Sequence, residues 1–491
     1  MTDALTAAIG TPGYDTGALL RLVDLLADAD ARGDETAARA ALVRLGRRPR
    51  LLLRLDESIR QMTWRYANQP APAALGLLAR FEQGWHTPIV VMIACMHRDG
   101  RVRERAVVAA ARSLPELTFL FVLRADDWVA QVRKPARAAL TRLLSDDPGR
   151  FLPSAVPMAV KLADRDRGRF ARALVTDAVL AAPDDLRWQW AASRDRELRR
   201  LAFDADQLQH RLGLDTLADL AVREGDAWIR HRAAQAAYEQ AVVRQHRPTL
   251  ERLFTARSGD SRALALTGLL RLGPAAEAEA ALDDPAPLVR AVARDAARRA
   301  GTDVVAHYRT ARPSPGAVAG LAEVGSDLDA PILTALLGHA SAPVRAAAVR
   351  ALRHLDAVPV EAVLPLLRDP APMVVREAAL ALRPLGRRLS PGLAWELLGD
   401  SRPEVRLAGY RLLTCADLAT SFRAALRLAG DSDARLAARG EADALRLAGR
   451  PAYSRPGYEA PGPSLAELRS LAEAAGPVLG GRLAVLLGAA R

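Results

Sequence analysis

Aromatic residues are scarce in this chain, cysteine and lysine scarcer, and no long apolar run occurs. Phe, Trp and Tyr make up 4% of the 491 residues and hydrophobic residues 50%, so burial must rest on Leu, Ala and Val. Small aliphatic side chains let helices approach closely, which suits stacked helices better than a large sheet core. The two cysteines, Cys95 and Cys415, are too few and too far apart for a disulfide framework. The longest strongly apolar stretch, Ile89 to Met96, falls far short of the roughly 20 residues that cross a bilayer as a helix. The opening MTDALTAAIG has no basic segment leading into an apolar one, so no secretory signal is expected. These absences predict a soluble, cytoplasmic chain with no membrane contact. Catalytic signatures are missing too: there is no G-x-x-x-x-G-K-[ST] loop, H-E-x-x-H, G-x-S-x-G elbow or paired C-x-x-C. Cys95 and His97, the nearest approach to a metal pair, would point apart on a helix, so neither metal nor cofactor is expected.

The formal charge of +12 raises the question of a polyanionic partner, and its distribution matters. Summed by segment it is about +2 over 1–98, +6 over 99–200, zero over 201–300 and 301–400, and +4 over 401–491. The excess is therefore local. Lys134 and Lys161 are the only lysines. A bias to Arg, with abundant Ala, Gly and Pro, is what a GC-rich genome produces, which weakens the step from charge to partner.

Internal repeats decide the fold. DPAPLVR (284–290), DPAPMVVR (369–376), DSRPEVR (400–406) and SAPVR (341–345) each read as a turn followed by a helix opening. Asp or Ser can accept bonds from the free amides of a first helical turn, and proline has no amide to leave unpaired there. Ser401 with Glu404 has capping-box spacing. After Val344, apolar residues fall at +3, +4, +7, +8 and +11: Ala347, Ala348, Ala351, Leu352 and Leu355. The same offsets from Val289 and Val405 are also small or apolar, one face of a 3.6-residue helix. The arginine after the opening valine or its equivalent marks units at Arg103, Arg133, Arg199, Arg230, Arg290, Arg345, Arg376, Arg406 and Arg435, with weaker units near Arg169, Arg262 and Val318. The steps lie near 30 residues, room for two short helices and two turns.

An Asp- and Pro-containing turn followed by V-R-x-x-A-x-x-A-L resembles the HEAT repeat, particularly the short bacterial form also found in phycobilin lyase subunits. The resemblance covers roughly 99–447 and implies an all-α fold, an α-α superhelix (α-solenoid) of about twelve helical hairpins. The expected organisation is an N-terminal helical cap over 1–98, the repeats over 99–448, a Pro/Gly-rich linker over 449–463 and a C-terminal helix pair over 464–491. Cap helices are expected near 16–30, 35–46, 49–67, 71–83 and 87–97. The final pair opens with Ser464 and Glu467 at capping-box spacing.

The repeat arginines Arg103, Arg133, Arg230, Arg290, Arg345, Arg376 and Arg406 keep a fixed place relative to the turn. That predicts structural ties to the adjacent turn rather than a ladder for a ligand. Within 99–200 further cations form a candidate partner-binding patch: Arg101, Arg105 and Arg112, then Lys134, Arg137 and Arg142, then Arg165, Arg167, Arg169 and Arg172. Asp99, Glu104, Asp126, Asp127, Asp164 and Asp166 are interleaved with them. Trp188 and Trp190 are candidate anchors that cannot both face one way on a helix. The leading expectation is a non-catalytic scaffold holding a protein or peptide on its concave face. The alternative is a nucleic-acid-binding solenoid using 99–200. A third reading, a repair enzyme like the HEAT-like alkylpurine glycosylases, requires a pocket with Trp beside an unpaired Asp.

Overall fold

The computed structural model of the chain describes residues 2–10, 16–65, 73–274 and 276–448. The expected linker 449–463, the pair 464–491 and its Ser464–Glu467 cap lie outside the described residues. Among the described residues every regular element is an α- or 3-10 helix, and there is no strand.

The helices pack as neighbouring pairs. Thr118–Ala125 packs on Ala130–Asp146, Arg247–Phe254 on Gly259–Leu272, Pro391–Leu398 on Pro403–Leu413, and Leu418–Ala429 on Ala434–Ala448. Second helices also pack on one another. Gly100–Ser113 lies against Ala130–Asp146, and Pro315–Val324, Ala342–His354, Pro372–Leu382 and Pro403–Leu413 contact in succession. The sequence stripe is the buried face: Val344, Ala347, Ala348, Ala351 and Leu352 are all buried, and Leu355 is partly so. At Gly409 the paired helices approach closely, since a Cβ there would stand 2.5 Å from the Leu398 backbone nitrogen and 2.6 Å from the Ala394 oxygen. Gly440 meets the Ala429 nitrogen at 2.3 Å in the same way.

The turns differ in detail from the expectation. Pro287, Pro372 and Pro403 open their helices, but the N-cap residues are Ala286, Ala371 and Arg402, which give no side-chain cap. The turn aspartates act just ahead of the helix. Asp284, Asp369 and Asp400 accept from the backbone N–H of Ala286 (2.7 Å), Ala371 (2.8 Å) and Arg402 (2.9 Å). The Ser401–Glu404 capping box is therefore not formed, because the helix starts one residue later than that pairing needs.

The chain divides into two compact units, Met1–Leu220 with Glu224–Arg232, and Ala221–Arg223 with Ala233–Arg491. The first unit has one continuous core running from Leu5 to Ala205. Its early helices are Thr2–Gly10, Thr16–Ala31, Glu35–Gly46, Pro49–Arg65, Ala73–Glu82 and Pro88–Cys95. They join the later ones through close contacts, such as Gly46, where a Cβ would stand 3.0 Å from the Phe119 ring. The second unit has its own core from Ala263 to Ala448.

Candidate binding surface

The arginine that follows the helix-opening valine makes a recurring clasp. Arg345 Nη1 donates to the carbonyls of His339 (2.8 Å) and Ala340 (3.1 Å) in its own turn. Its Nε and Nη2 form a two-pronged pair with Asp369 of the next turn, at 2.9 and 2.8 Å. Arg103 does the same with His97, Arg98 and Asp127. Arg262 uses Ala256, Arg257 and Asp284, and Arg406 uses Asp400, Ser401 and Asp431. The acceptor also holds its own turn: Asp127, Asp284, Asp369 and Asp431 each accept from a backbone N–H two residues on. A planar guanidinium presents two parallel donors to a carboxylate, which lysine cannot do. Burial disfavours the Asp369 carboxylate, but the Arg345 fork and the Ala371 amide outweigh it and hold its pKa below the usual range.

Other units keep part of the clasp. Arg290 bonds the Asp284 carbonyl (2.6 Å) and, in place of a turn aspartate, Glu323 (3.1 Å from Nε). Arg133 reaches the carbonyls of Asp127 and Trp128, and Arg230 those of Glu224 and Gly225. Arg376 does not occupy the clasp position. Six residues beyond its turn aspartate, where Arg290 and Arg406 stand, this unit has the buried Val375, and the exposed Arg376 comes one residue later.

Arg101, Arg105 and Arg112 come together along a groove of about 840 Å³ beside the Gly100–Ser113 helix, with Phe81, Glu82, His86 and Glu104. Arg105 is ion-paired with Glu82 and lies 5.7 Å over the Phe81 ring. Lys134 is exposed. Arg137 stacks 4.4 Å over Phe170 and donates to the Ala125 carbonyl, while Arg142 donates to that of Ala111. Burial, with Arg133 and Arg167 nearby, lowers the Arg137 pKa against the pull of Asp126. Arg165 pairs with Asp126 at 3.1 Å. Arg167 and Arg169 are exposed, and Arg172 is half-buried near Asp204, whose pKa burial raises against the charges of Arg232 and Arg172. The patch is thus divided between two concavities and several internal bonds.

The second concavity is a cleft of about 560 Å³ lined by Asp56, Arg60, Leu123, Arg124, Asp126, Asp127, Trp128 and 164–167. Its floor is an ion network that sequence reasoning missed. Arg124, 1% exposed, donates to Asp56 (2.7 Å) and Asp127 (3.0 Å), while the wholly buried Arg103 holds the other side of Asp127. Burial works against charge at Asp127, yet the Arg103 bonds and the Arg124 charge prevail and lower its pKa. One signal was available: Arg124 is the only charged residue of the helix Thr118–Ala125, all of which is buried. Asp56, 68 residues upstream, gave none.

Trp190 is 4% exposed and packs in the core, whereas Trp188 is 69% exposed. Trp128, 68% exposed, stands at the cleft mouth. The carboxylates beside it, Asp126 and Asp127, are both paired with arginine. Trp85, 53% exposed, has the Arg80 guanidinium 4.8 Å from its ring centre, and both Arg200 and Arg232 lie 5.4 Å from that of Trp228. Cys95 is buried, and the His97 ring accepts from the Asp99 N–H. Among the described residues no His, Cys, Asp or Glu group is arranged to hold a metal, and no helix is long and apolar enough to cross a membrane. No family model matches the sequence, and no curated protein matches it.

Proposed function

We propose that this chain is a HEAT-type scaffold, a superhelix of about twelve hairpins, that binds a protein or peptide partner on its second-helix face. The observation that carries the reading is how the arginines are used. Those at the repeat position tie turn to turn, and Arg105, Arg137, Arg142 and Arg165 in the 99–200 patch are engaged by acids, rings or carbonyls. A surface that reads phosphate needs cations free to displace counterions. Exposed Trp128, above a cleft lined by both charge signs, is instead the amphipathic kind of anchor on which protein interfaces concentrate their energy. Against the glycosylase-like reading, Asp56, Asp126 and Asp127 of the cleft by Trp128 are paired with arginine, and its other carboxylates, Asp164 and Asp166, are exposed rather than enclosed.

The test compares capture of partners by the parent chain and by Trp128→Ala, alongside a salt titration with DNA and RNA. The scaffold reading expects a protein partner lost with Trp128→Ala and no nucleic-acid binding at low salt. Binding to DNA or RNA that weakens steeply with salt, and vanishes when Arg165, Arg167, Arg169 and Arg172 become Ala, would overturn it.

A further inference from the structure

In the second unit, segment sums conceal a one-signed surface. The helix Pro372–Leu382 and the 3-10 turn Arg383–Arg388 carry Arg376 and Arg383, seven residues apart and therefore on one face. The neighbouring helix Pro403–Leu413 carries Arg411 in its last turn, and the helix Ala434–Ala448 carries Arg439. Three contacts bring these elements together. Arg383 Nε lies 3.2 Å from Cys415 Sγ, one turn beyond Arg411. Tyr410 donates to Asp443 at 2.7 Å, and Arg439 lies 5.8 Å over the Tyr410 ring.

The local carboxylates are already engaged. Glu377 is held by Arg350 (3.2 Å) and Arg353 (3.5 Å), and Asp443 by Tyr410, Arg446 and Arg439. Among the described residues no carboxylate pairs with Arg376, Arg383 or Arg411. Arg411 is half-buried, and after burial the charges of Arg439, Arg376 and Arg383 act to lower its pKa, opposed by Glu377. Elsewhere Arg103, Arg262, Arg290, Arg345 and Arg406 each meet an acid. Here cations crowd one another, and a bound anion would relieve that crowding.

We propose that Arg376, Arg383, Arg411 and Arg439 form the receptor for an acidic, extended segment of a partner protein. This rests on the scaffold reading above. Arg376 and Arg411 lie on helices that pack directly, whose axes stand about 8–10 Å apart. A polyproline II segment has three residues per turn and rises about 3.1 Å per residue, so acids at every third position lie on one face about 9.3 Å apart. A strand, with same-face residues about 6.7 Å apart, matches poorly. Base stacking is not provided for, because Tyr410, the ring within the cluster, is 1% exposed.

The test is fluorescence anisotropy with the full chain and two labelled peptides of equal composition. One is proline-rich with glutamate at every third position, and the other has its glutamates adjacent. The spaced peptide is expected to bind at least 5-fold more tightly, and Arg411→Gln and Arg376→Gln each to weaken it 5-fold or more. Arg411→Gln should keep or raise the Tm of the free chain, since it removes like-charge repulsion. Equal binding of the two peptides, unchanged affinity in Arg411→Gln, a drop in its Tm, or tighter binding of oligo-dT than of the spaced peptide would each overturn the assignment. If peptide binding fails while Trp128-dependent capture persists, this inference falls and the scaffold reading stands. Loss of both removes both.

Discussion

Replacing Asp127 by alanine strikes the most buried of the clasps. Its side chain is 1% exposed and bonds two guanidiniums, those of Arg103 and Arg124, that are themselves sealed from water. Removing one partner of a buried ion pair leaves an uncompensated charge and costs about 3–5 kcal/mol. Here three cations lose a partner, and although Arg124 and the more exposed Arg60 retain Asp56, Arg103 is left with carbonyls alone. The expected loss is therefore about 4 kcal/mol. With an m value of about 3 kcal/mol/M in urea, the midpoint of the first unit falls by about 1.3 M. Urea unfolding followed by circular dichroism measures this. Amide exchange along Gly100–Ser113 and Ala130–Asp146 assigns the transition to that unit. Asp431→Ala is the internal comparison, because its partner Arg406 is less buried and loses about 2 kcal/mol of charged hydrogen bonding. Replacing Arg103, Arg124 and Asp127 together by Met, Met and Leu should recover much of the loss, since apolar groups of similar volume need no compensation. A loss below about 1 kcal/mol at Asp127, or one equal to that at Asp431, would refute the reasoning.

The same contacts set three further outcomes. The carboxyls of Asp127, Asp369, Asp431 and Glu323 have pKa values depressed by arginine, so their contribution is present above the unfolded value of about 4 and is lost as pH falls through the folded values. The Tm should be flat above about pH 5 and drop below about pH 4, with Asp204 and Asp206, raised by burial, opposing that trend; an onset at higher pH contradicts it. Gly409→Ala and Gly440→Ala should lower stability by more than about 1 kcal/mol despite the gain in helix propensity, because the added carbon meets backbone atoms of the paired helix. Gly76→Ala, with nothing within 4 Å, should stabilise by about 0.8–1 kcal/mol, and calorimetry separates the two cases. Trp190→Ala should cost about 3–5 kcal/mol and Trp188→Ala under about 0.5 kcal/mol in urea unfolding.

The helical register was legible because burial repeats every 3.6 residues, and a stripe such as Val344 to Leu352 carries that period in plain side chains. The position of the clasp was legible for Arg345 and Arg406, since both partners belong to the repeated turn. Arg376 was misplaced because one inserted residue moved the arginine out of register, and only the geometry shows Val375 taking its position. The Arg124 network was hidden by distance along the chain, as Asp56 belongs to a segment without the repeat signature. The crowding around Arg411 was hidden by averaging. Residues 301–400, which hold Arg376 and Arg383, sum to zero and 401–491, which hold Arg411 and Arg439, to about +4, and charge summed along a chain mixes faces that the helices separate. The caps failed by one residue at Ser401, within the margin by which helix ends vary.

The clasp also bears on how such a chain can change its length. Asp127, Asp284, Asp369 and Asp431 each serve two masters, their own backbone and the arginine one unit earlier. Excising residues 369–399 would bring Asp400, already bonded to its own turn, to the place where Arg345 now meets Asp369. Both sides of the new junction would carry matching chemistry. A cut in any other phase would strand a guanidinium against a helix end. Duplication or loss of whole units is thereby the inexpensive route of variation, and fractional insertions are penalised at the first turn they reach.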